Sequence, residues 1–266
     1  MVLSLQGRSH RFKSCSAHSL LRYNLACYHI VMIPKIIYQT WSTQQLPKKL
    51  EKLHNKMRKR NSDFEHVIYT DEQMNDYMNS NVDKDIKNAY WKMNHIVAKA
   101  DIWRYSILYN KGGVYLDIDS EISGSLSDLI NDNDKAIITP EIHENLFIQW
   151  GLIFGKKHKI LENTLNNILK DIEDENNKFD HHALTVQNYA KAIFALADNH
   201  KCEFKWSKPK LQKDETFIVG DSSFRVVGTD YNNLFLFKHK YNHLLRNRPK
   251  GTEVDTHWSR FKGPIY

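Results

Sequence analysis

The segment that most restricts the fold ends at Asp119 and begins about 25 residues earlier. Across residues 95–109, Ile96, Ala100, Trp103 and Ile107 recur at helical intervals. Lys111-Gly112-Gly113 then stops the helix, with glycine where left-handed backbone is needed. Val114-Tyr115-Leu116 is a short apolar strand, and Asp117-Ile118-Asp119 follows without a spacer. A helix reversed by two glycines into a buried strand calls for an α/β layer structure. Its two carboxylates then lie at the carboxyl end of a strand, where open α/β sheets bind their ligands.

The flanking pattern agrees. Residues 33–38 read as a first buried strand and residues 64–69 as a second. Between them, Leu50, Leu53 and Met57 give a helix over residues 47–60, with Pro47 suited to its start. Asp71 is expected to cap a short helix through Tyr77, and the chain is helical again from Asp83. Further strands are expected at 135–139, 146–154, 217–219, 224–227 and 234–237, and helices at 160–173 and 183–197. The order is βαβα followed by a mixed half, which predicts an α/β sandwich with a mixed, mainly parallel central sheet. Residues 1–31 are basic and lack a sustained apolar run, so they read as a disordered or mis-started extension before Met32. The remainder, 32–266, is expected to be one domain, with residues 32–130 as the ligand-binding half and 131–266 as the acceptor-side half.

Charge narrows the partners. A formal net charge of +7 suits anionic ligands, either phosphate groups or a membrane face. The dense cationic run is Lys48, Lys49, Lys52, Lys56, Arg58, Lys59 and Arg60; it reads as a solvated helix face or a contact for a membrane surface. No zinc-finger spacing, RNP-like strand or basic zipper is found, so nucleic acid is not an expected partner. Cys15, Cys27 and Cys202 are odd in number and widely spaced, which fits a reducing compartment, and the expected location is the cytoplasm or the inner face of a membrane. Oligomeric state is not legible.

The chemistry rests on two constellations. Asp117 and Asp119 flank one residue at a strand end, and carboxylates facing a diphosphate make sense only around a cation such as Mn²⁺ or Mg²⁺. Such an ion neutralises a departing diphosphate as a Lewis acid. Asp101 and Arg104, three apart, share one helix face; they form either an ordinary ion pair or a fork for sugar hydroxyls and phosphate oxygens.

The string Asp101-Ile-Trp-Arg104-Tyr…Gly112-Gly113-Val-Tyr115-Leu-Asp117-Ile-Asp119 resembles the DXD sugar-binding region of the Och1-like and capsular-polysaccharide glycosyltransferases of family 32. It is also similar to the glucosyltransferase domains of large clostridial toxins. Ile33-Pro-Lys-Ile-Ile-Tyr-Gln-Thr-Trp41 looks like the family's first strand, with Tyr38 where a histidine is usual. The resemblance implies a GT-A fold, a UDP- or GDP-sugar donor, Mn²⁺ or Mg²⁺, and retention of anomeric configuration. It implies a glycan or lipid-linked saccharide as acceptor. It makes Asp101, Arg104 and Asp119 catalytic, and gives donor binding to Gln39, Trp41, Asp101, Arg104, Tyr115, Asp117 and Trp258. Metal ligation falls to Asp117, Asp119 and His257. Trp41 would stack near the base, although a tryptophan after a first strand can equally be core. The segment ending at Thr185 matches a family Gly-Pro-x-x-Thr stretch without its glycine and proline, and Glu141, His143, Asn145 and Gln149 are candidates for the acceptor side. Two other functions use the same carboxylates: a metal-dependent phosphotransferase or nuclease, and an inactive sugar-binding module.

Overall fold

The structure, a computed structural model, describes residues 32–122, 124–141, 145–174, 182–197, 204 and 214–228, and the backbone of short strands between 230 and 239. All of these lie in one unit, Val31–Tyr266. β1 (Ile36–Thr40) leads to α1 (Lys48–Arg60), β2 (Glu65–Tyr69), α2 (Asp71–Ser80), α3 (Lys84–Lys92), α4 (Ile96–Lys111) and β3 (Gly113–Leu116). Then come β4 (Ser120–Glu121), α5 (Leu126–Leu129), β5 (Ala136–Ile138), β6 (Gly151–Phe154) and α6 (Lys159–Glu173). A π-helical turn (His182–Val186) opens α7 (Gln187–Ala197). β7 (Glu215–Phe217), β8 (Phe224–Val226), β9 (Asp230–Tyr231), β10 (Leu234–Phe235) and β11 (Lys238–His239) follow.

Among the described residues the main sheet has seven strands in the order β2-β1-β3-β6-β5-β8-β7. β1 pairs in parallel with β2 and β3, β5 pairs in parallel with β8, and β6 and β7 run against their neighbours. The sheet is therefore mixed with most strands pointing one way, as the sequence pattern predicts. Alternation along each strand feeds two cores. Tyr38, Tyr115, Leu152 and Phe154 enter a large aromatic core on the face covered by α4, α6 and α7. Ile37, Val114, Leu116 and Ile153 enter a second core on the opposite face with Met57 of α1 and Leu126 and Leu129 of α5.

Local rules explain the element ends. Gly112 (φ 66°) and Gly113 (φ 110°) take the left-handed backbone that reverses α4 into β3. A Cβ on Gly113 would stand 2.8 Å from the Ile36 carbonyl oxygen, so β3 can lie this close to β1 only through glycine. Three expectations need correction. The cap of α2 is Thr70, not Asp71, because Thr70 and Gln73 close a reciprocal capping box. The apolar run 146–154 is a strand only from Gly151; Phe147 makes a single bridge to Pro140, whose missing N–H cannot extend a ladder. The strand expected at 217–219 ends at Phe217, where the chain turns through a 3-10 segment (Gly220–Ser222).

Candidate active site

The site is assembled where α4 begins and β3 ends. Residues 101–108 of α4 are all buried, so the helix carries two charged side chains through apolar surroundings. Buried charges persist only when paired. Arg104 Nη2 lies 2.6 Å from Asp101 Oδ1, Thr185 donates its hydroxyl to Asp101 Oδ2 at 2.6 Å, and Arg104 Nη1 donates to the Gln149 carbonyl at 2.9 Å. The guanidinium also sits 4.5 Å over the Tyr115 ring. Burial works against the Arg104 charge, but Asp101, Tyr115 and Asp117 outweigh it and raise the pKa. Arg104 is thus a fixed cation. Its Nε is buried and finds no acceptor among the described residues.

The first carboxylate of the Asp-Ile-Asp turn faces this cation. Asp117 Oδ1 accepts the Tyr115 hydroxyl at 2.6 Å and lies 3.6 Å from Arg104 Nη2. Burial, first of all, pushes the Tyr115 phenol well above its usual range, so it stays a donor. The Asp117 side chain is 28% exposed, against 1% for Asp101, so within this network it is the acid that meets solvent. Two backbone bonds hold the turn: Asp117 N–H to the Trp150 carbonyl, and Ser120 N–H to the Asp117 carbonyl. Asp119 is buried, and β4 directly after it pairs with β11.

A second line of support comes from β1 and α1. Gln39, buried at the end of β1, points its amide nitrogen at the Asp117 carbonyl (3.5 Å), and His54 Nδ1 lies 2.7 Å from Gln39 Oε1. Burial, then His66 and Arg58, pull the His54 pKa down to about 4, so its neutral ring donates to that oxygen. Trp41 is packed with Leu50 and Ile118, the residue between the two aspartates.

The structure therefore joins Gln39, Asp101, Arg104, Tyr115 and Asp117 in one network, buries Asp119 two residues further along the turn, and packs Trp41 with Ile118 between the two aspartates. His143, His257 and Trp258 lie outside the described residues, as do all three cysteines. Sequence reasoning missed His54 and Tyr105 and gave Thr185 and Gln149 only loose acceptor-side roles. Tyr105 bonds Gln149 Oε1 at 2.7 Å and the Thr185 carbonyl at 3.3 Å, so it ties together the two residues that bond Arg104 and Asp101. Thr185 was signalled by its family-like segment, whereas Gln149 had no local signal.

These residues suit a divalent cation. Two carboxylates one residue apart in a turn provide hard oxygen ligands, the number Mg²⁺ or Mn²⁺ commonly takes from protein when phosphate and water supply the rest. Among the described residues no group of three or more His, Cys, Asp or Glu forms a closed protein cage.

Known proteins match this region. Residues 47–136 match the family model described as a glycosyltransferase sugar-binding region containing a DXD motif. The chain is 34% identical over 99 residues to inositol phosphoceramide mannosyltransferase 3 of Schizosaccharomyces pombe, covering 37% of this chain and 28% of that protein. It is 36% identical over 94 residues to the initiation-specific alpha-1,6-mannosyltransferase of Candida albicans (33% and 24% covered). An uncharacterized glycosyltransferase of Acanthamoeba polyphaga mimivirus is 32% identical over 101 residues (37% and 40%). The matches thus span well under half the length of these relatives. In structure, the chain is similar to PaToxG glycosyltransferase, with a TM-score of 0.52 at 19% identity over 62% of this chain and 70% of that one. That likeness bears on fold, and it agrees with the GT-A-type sandwich described above. Residues 47–136, which carry α4, the Gly-Gly reversal and the Asp117–Asp119 turn, are thus similar to the DXD-containing sugar-binding region of glycosyltransferases.

Proposed function

We propose that the chain transfers a hexosyl group from a nucleotide-diphosphate sugar to a hydroxyl of a glycan or lipid-linked saccharide, at the cytoplasmic face of a membrane and with retention of configuration. One observation carries the reading: a partly exposed carboxylate, Asp117, held at a strand end by the Tyr115 hydroxyl and the Arg104 cation. Asp117 and Asp119 would hold Mn²⁺ or Mg²⁺, which supplies charge neutralisation to the leaving diphosphate. His257 remains a candidate further ligand and Trp258 a candidate donor contact.

Each residue then has a task. Arg104 presents fixed positive charge to the donor, already desolvated and needing no reorganisation. Asp101, buried and bonded to Arg104 and Thr185, acts by aiming that cation. Tyr115 orients Asp117. Gln39 steadies the turn through the Asp117 carbonyl, and Trp41 supports it through Ile118 while offering the base only its accessible edge. Attack from the face the diphosphate leaves gives retention, with a phosphate oxygen taking the acceptor proton.

Since two of the relatives are mannosyltransferases by name, GDP-mannose is the first donor to test, beside UDP-glucose and UDP-N-acetylglucosamine. A donor bound with Mn²⁺ at a hundred times its Kd stabilises the fold by about 2.7 kcal/mol, seen as a rise in Tm. The reading expects that rise with one donor class, reversal by chelation, and loss of metal-dependent donor hydrolysis in Asp119→Ala. Full hydrolysis by Asp119→Ala with Mn²⁺ present would overturn it.

A further inference from the structure

The charge of this chain is not spread over it. Helix α1 carries seven cations against the single acid Glu51, a net of +6, while the whole 266-residue chain carries +7. The other residues are therefore close to neutral, and one 13-residue helix makes the protein basic.

Packing turns that charge outward. Leu50, Leu53 and Met57 are the buried residues of α1, at the spacing of one helical stripe, so the cations occupy the remaining surface. Two of them have structural partners: Lys56 pairs with Glu121 at 3.0 Å and Arg60 donates to the Ile122 carbonyl at 3.1 Å. Lys48, Lys49, Lys52, Arg58 and Lys59 are exposed and have no ion pair among the described residues. Like charges so close repel one another, a cost that an anionic partner removes.

The position of the helix gives this face a use. Leu50, between Lys49 and Glu51 in the first turn of α1, packs in one apolar cluster with Trp41 and with Ile118 of the Asp-Ile-Asp turn. The helix that carries the cations is thus anchored beside the Asp-Ile-Asp turn, by Leu50 in the cluster with Ile118 and by Lys56 on Glu121. We propose that α1 is the docking face for an anionic lipid surface, and that docking sets headgroups beside the Asp117–Asp119 turn. Lysine stems suit that surface, since they reach a headgroup layer and lie along its apolar boundary. The outward residues of α1 include no Trp, Tyr or Phe on which a base could stack, which argues against a nucleic acid. The proposal rests on the transferase reading only for its purpose, because lipid binding needs neither donor nor acceptor.

The test floats the full chain with phosphatidylcholine vesicles and with vesicles holding about 30 mol% phosphatidylserine, at low and high salt. Binding is expected to the anionic vesicles alone and to be released near 0.5 M NaCl, where charges are screened within about 4 Å. The triple variant Lys48→Gln, Lys49→Gln, Lys52→Gln should lower partitioning about 100-fold, each lysine contributing roughly a factor of five. Exposed lysines elsewhere (Lys84→Gln, Lys92→Gln, Lys170→Gln) should change it less than about fivefold, and both triples should keep the wild-type Tm and donor hydrolysis. Equal binding to neutral vesicles, equal loss in the two triples, or tighter α1-dependent binding to a DNA duplex than to anionic vesicles would overturn the inference. Donor hydrolysis without vesicle binding sinks this inference alone; vesicle binding without donor hydrolysis sinks the transferase reading alone.

Discussion

Arg104 on α4 and Arg225 on β8 are both buried guanidiniums beside aspartates, yet their donors are used differently. Arg225 gives Nε and Nη2 to the two oxygens of Asp134 (2.9 and 2.7 Å), Nη1 to Asp214 (2.9 Å), and a further Nη2 bond to the Leu129 carbonyl. Every nitrogen is engaged, and Asp134 itself is buried. Arg104 grips Asp101 at 2.6 Å but reaches Asp117 only at 3.6 Å, and its Nε has no acceptor among the described residues. The first arrangement closes on itself and staples β8 to the loop before β5. The second ends in a carboxylate that faces solvent. A saturated clamp serves stability; the unsaturated one leaves a carboxylate open to solvent, as the proposed transferase site requires.

The comparison breaks most visibly on the saturated side. Arg225→Ala leaves the Asp134 carboxylate buried without its fork, so unfolding free energy from urea titration should fall by about 3–5 kcal/mol. Donor KM, measured where the variant is still folded, should be unchanged; an unaltered urea midpoint would remove the structural role. Nearby, His158 sharpens the same side by pH. Its Nδ1 accepts the Ile160 N–H as the cap of α6 and its Nε2 donates to the Ser223 carbonyl, which only the neutral ring can do. Burial, partly offset by the Ser223 bond, lowers its pKa to about 4. Below pH 6.5 the unfolded chain binds a proton that the folded one refuses, so stability rises with pH. That stability is full above 6.5 and lost as pH falls toward 4, about 3 kcal/mol over the window. The pH slope of wild type minus His158→Gln should show it; parallel slopes would exclude it. The smallest effect lies on the open side. Tyr115→Phe removes the 2.6 Å bond to Asp117 and should lower kcat/KM about tenfold with little change in Tm. An equal loss in Tm and none in kcat/KM would make Tyr115 a packing residue.

The unsaturated clamp was largely legible because its parts are close in sequence. Asp101, Arg104, Tyr115 and Asp117 fall within one helix, one glycine turn and one strand, and helical spacing with strand alternation brings them together with no knowledge of the rest. The residues that complete it come from far away. Gln149 arrives because β6 runs antiparallel to β3, and Thr185 because the π-turn before α7 packs against α4; Gln149 has no local pattern, and the family-like segment around Thr185 does not say that it bonds Asp101. Local signals were also misread. Thr70-x-x-Gln73 is a capping box that outranks the neighbouring Asp71, and the apolar run from Leu146 has the composition of a strand but packs as loop. The saturated clamp was invisible for the same reason as Gln149: Asp134 and Arg225 are 91 residues apart and meet only through the pairing of β5 with β8.

The most direct test of the account is the turnover of Asp117→Asn. The change keeps the side chain's shape and its acceptor for Tyr115 while removing the charge that faces solvent beside Arg104. Metal-dependent donor hydrolysis should fall about 100- to 1000-fold, with stability within about 1 kcal/mol of wild type because the group is partly exposed. Turnover within about threefold of wild type, a difference of only about 0.6 kcal/mol in the barrier, would contradict the assignment of this turn as the reacting end of the molecule.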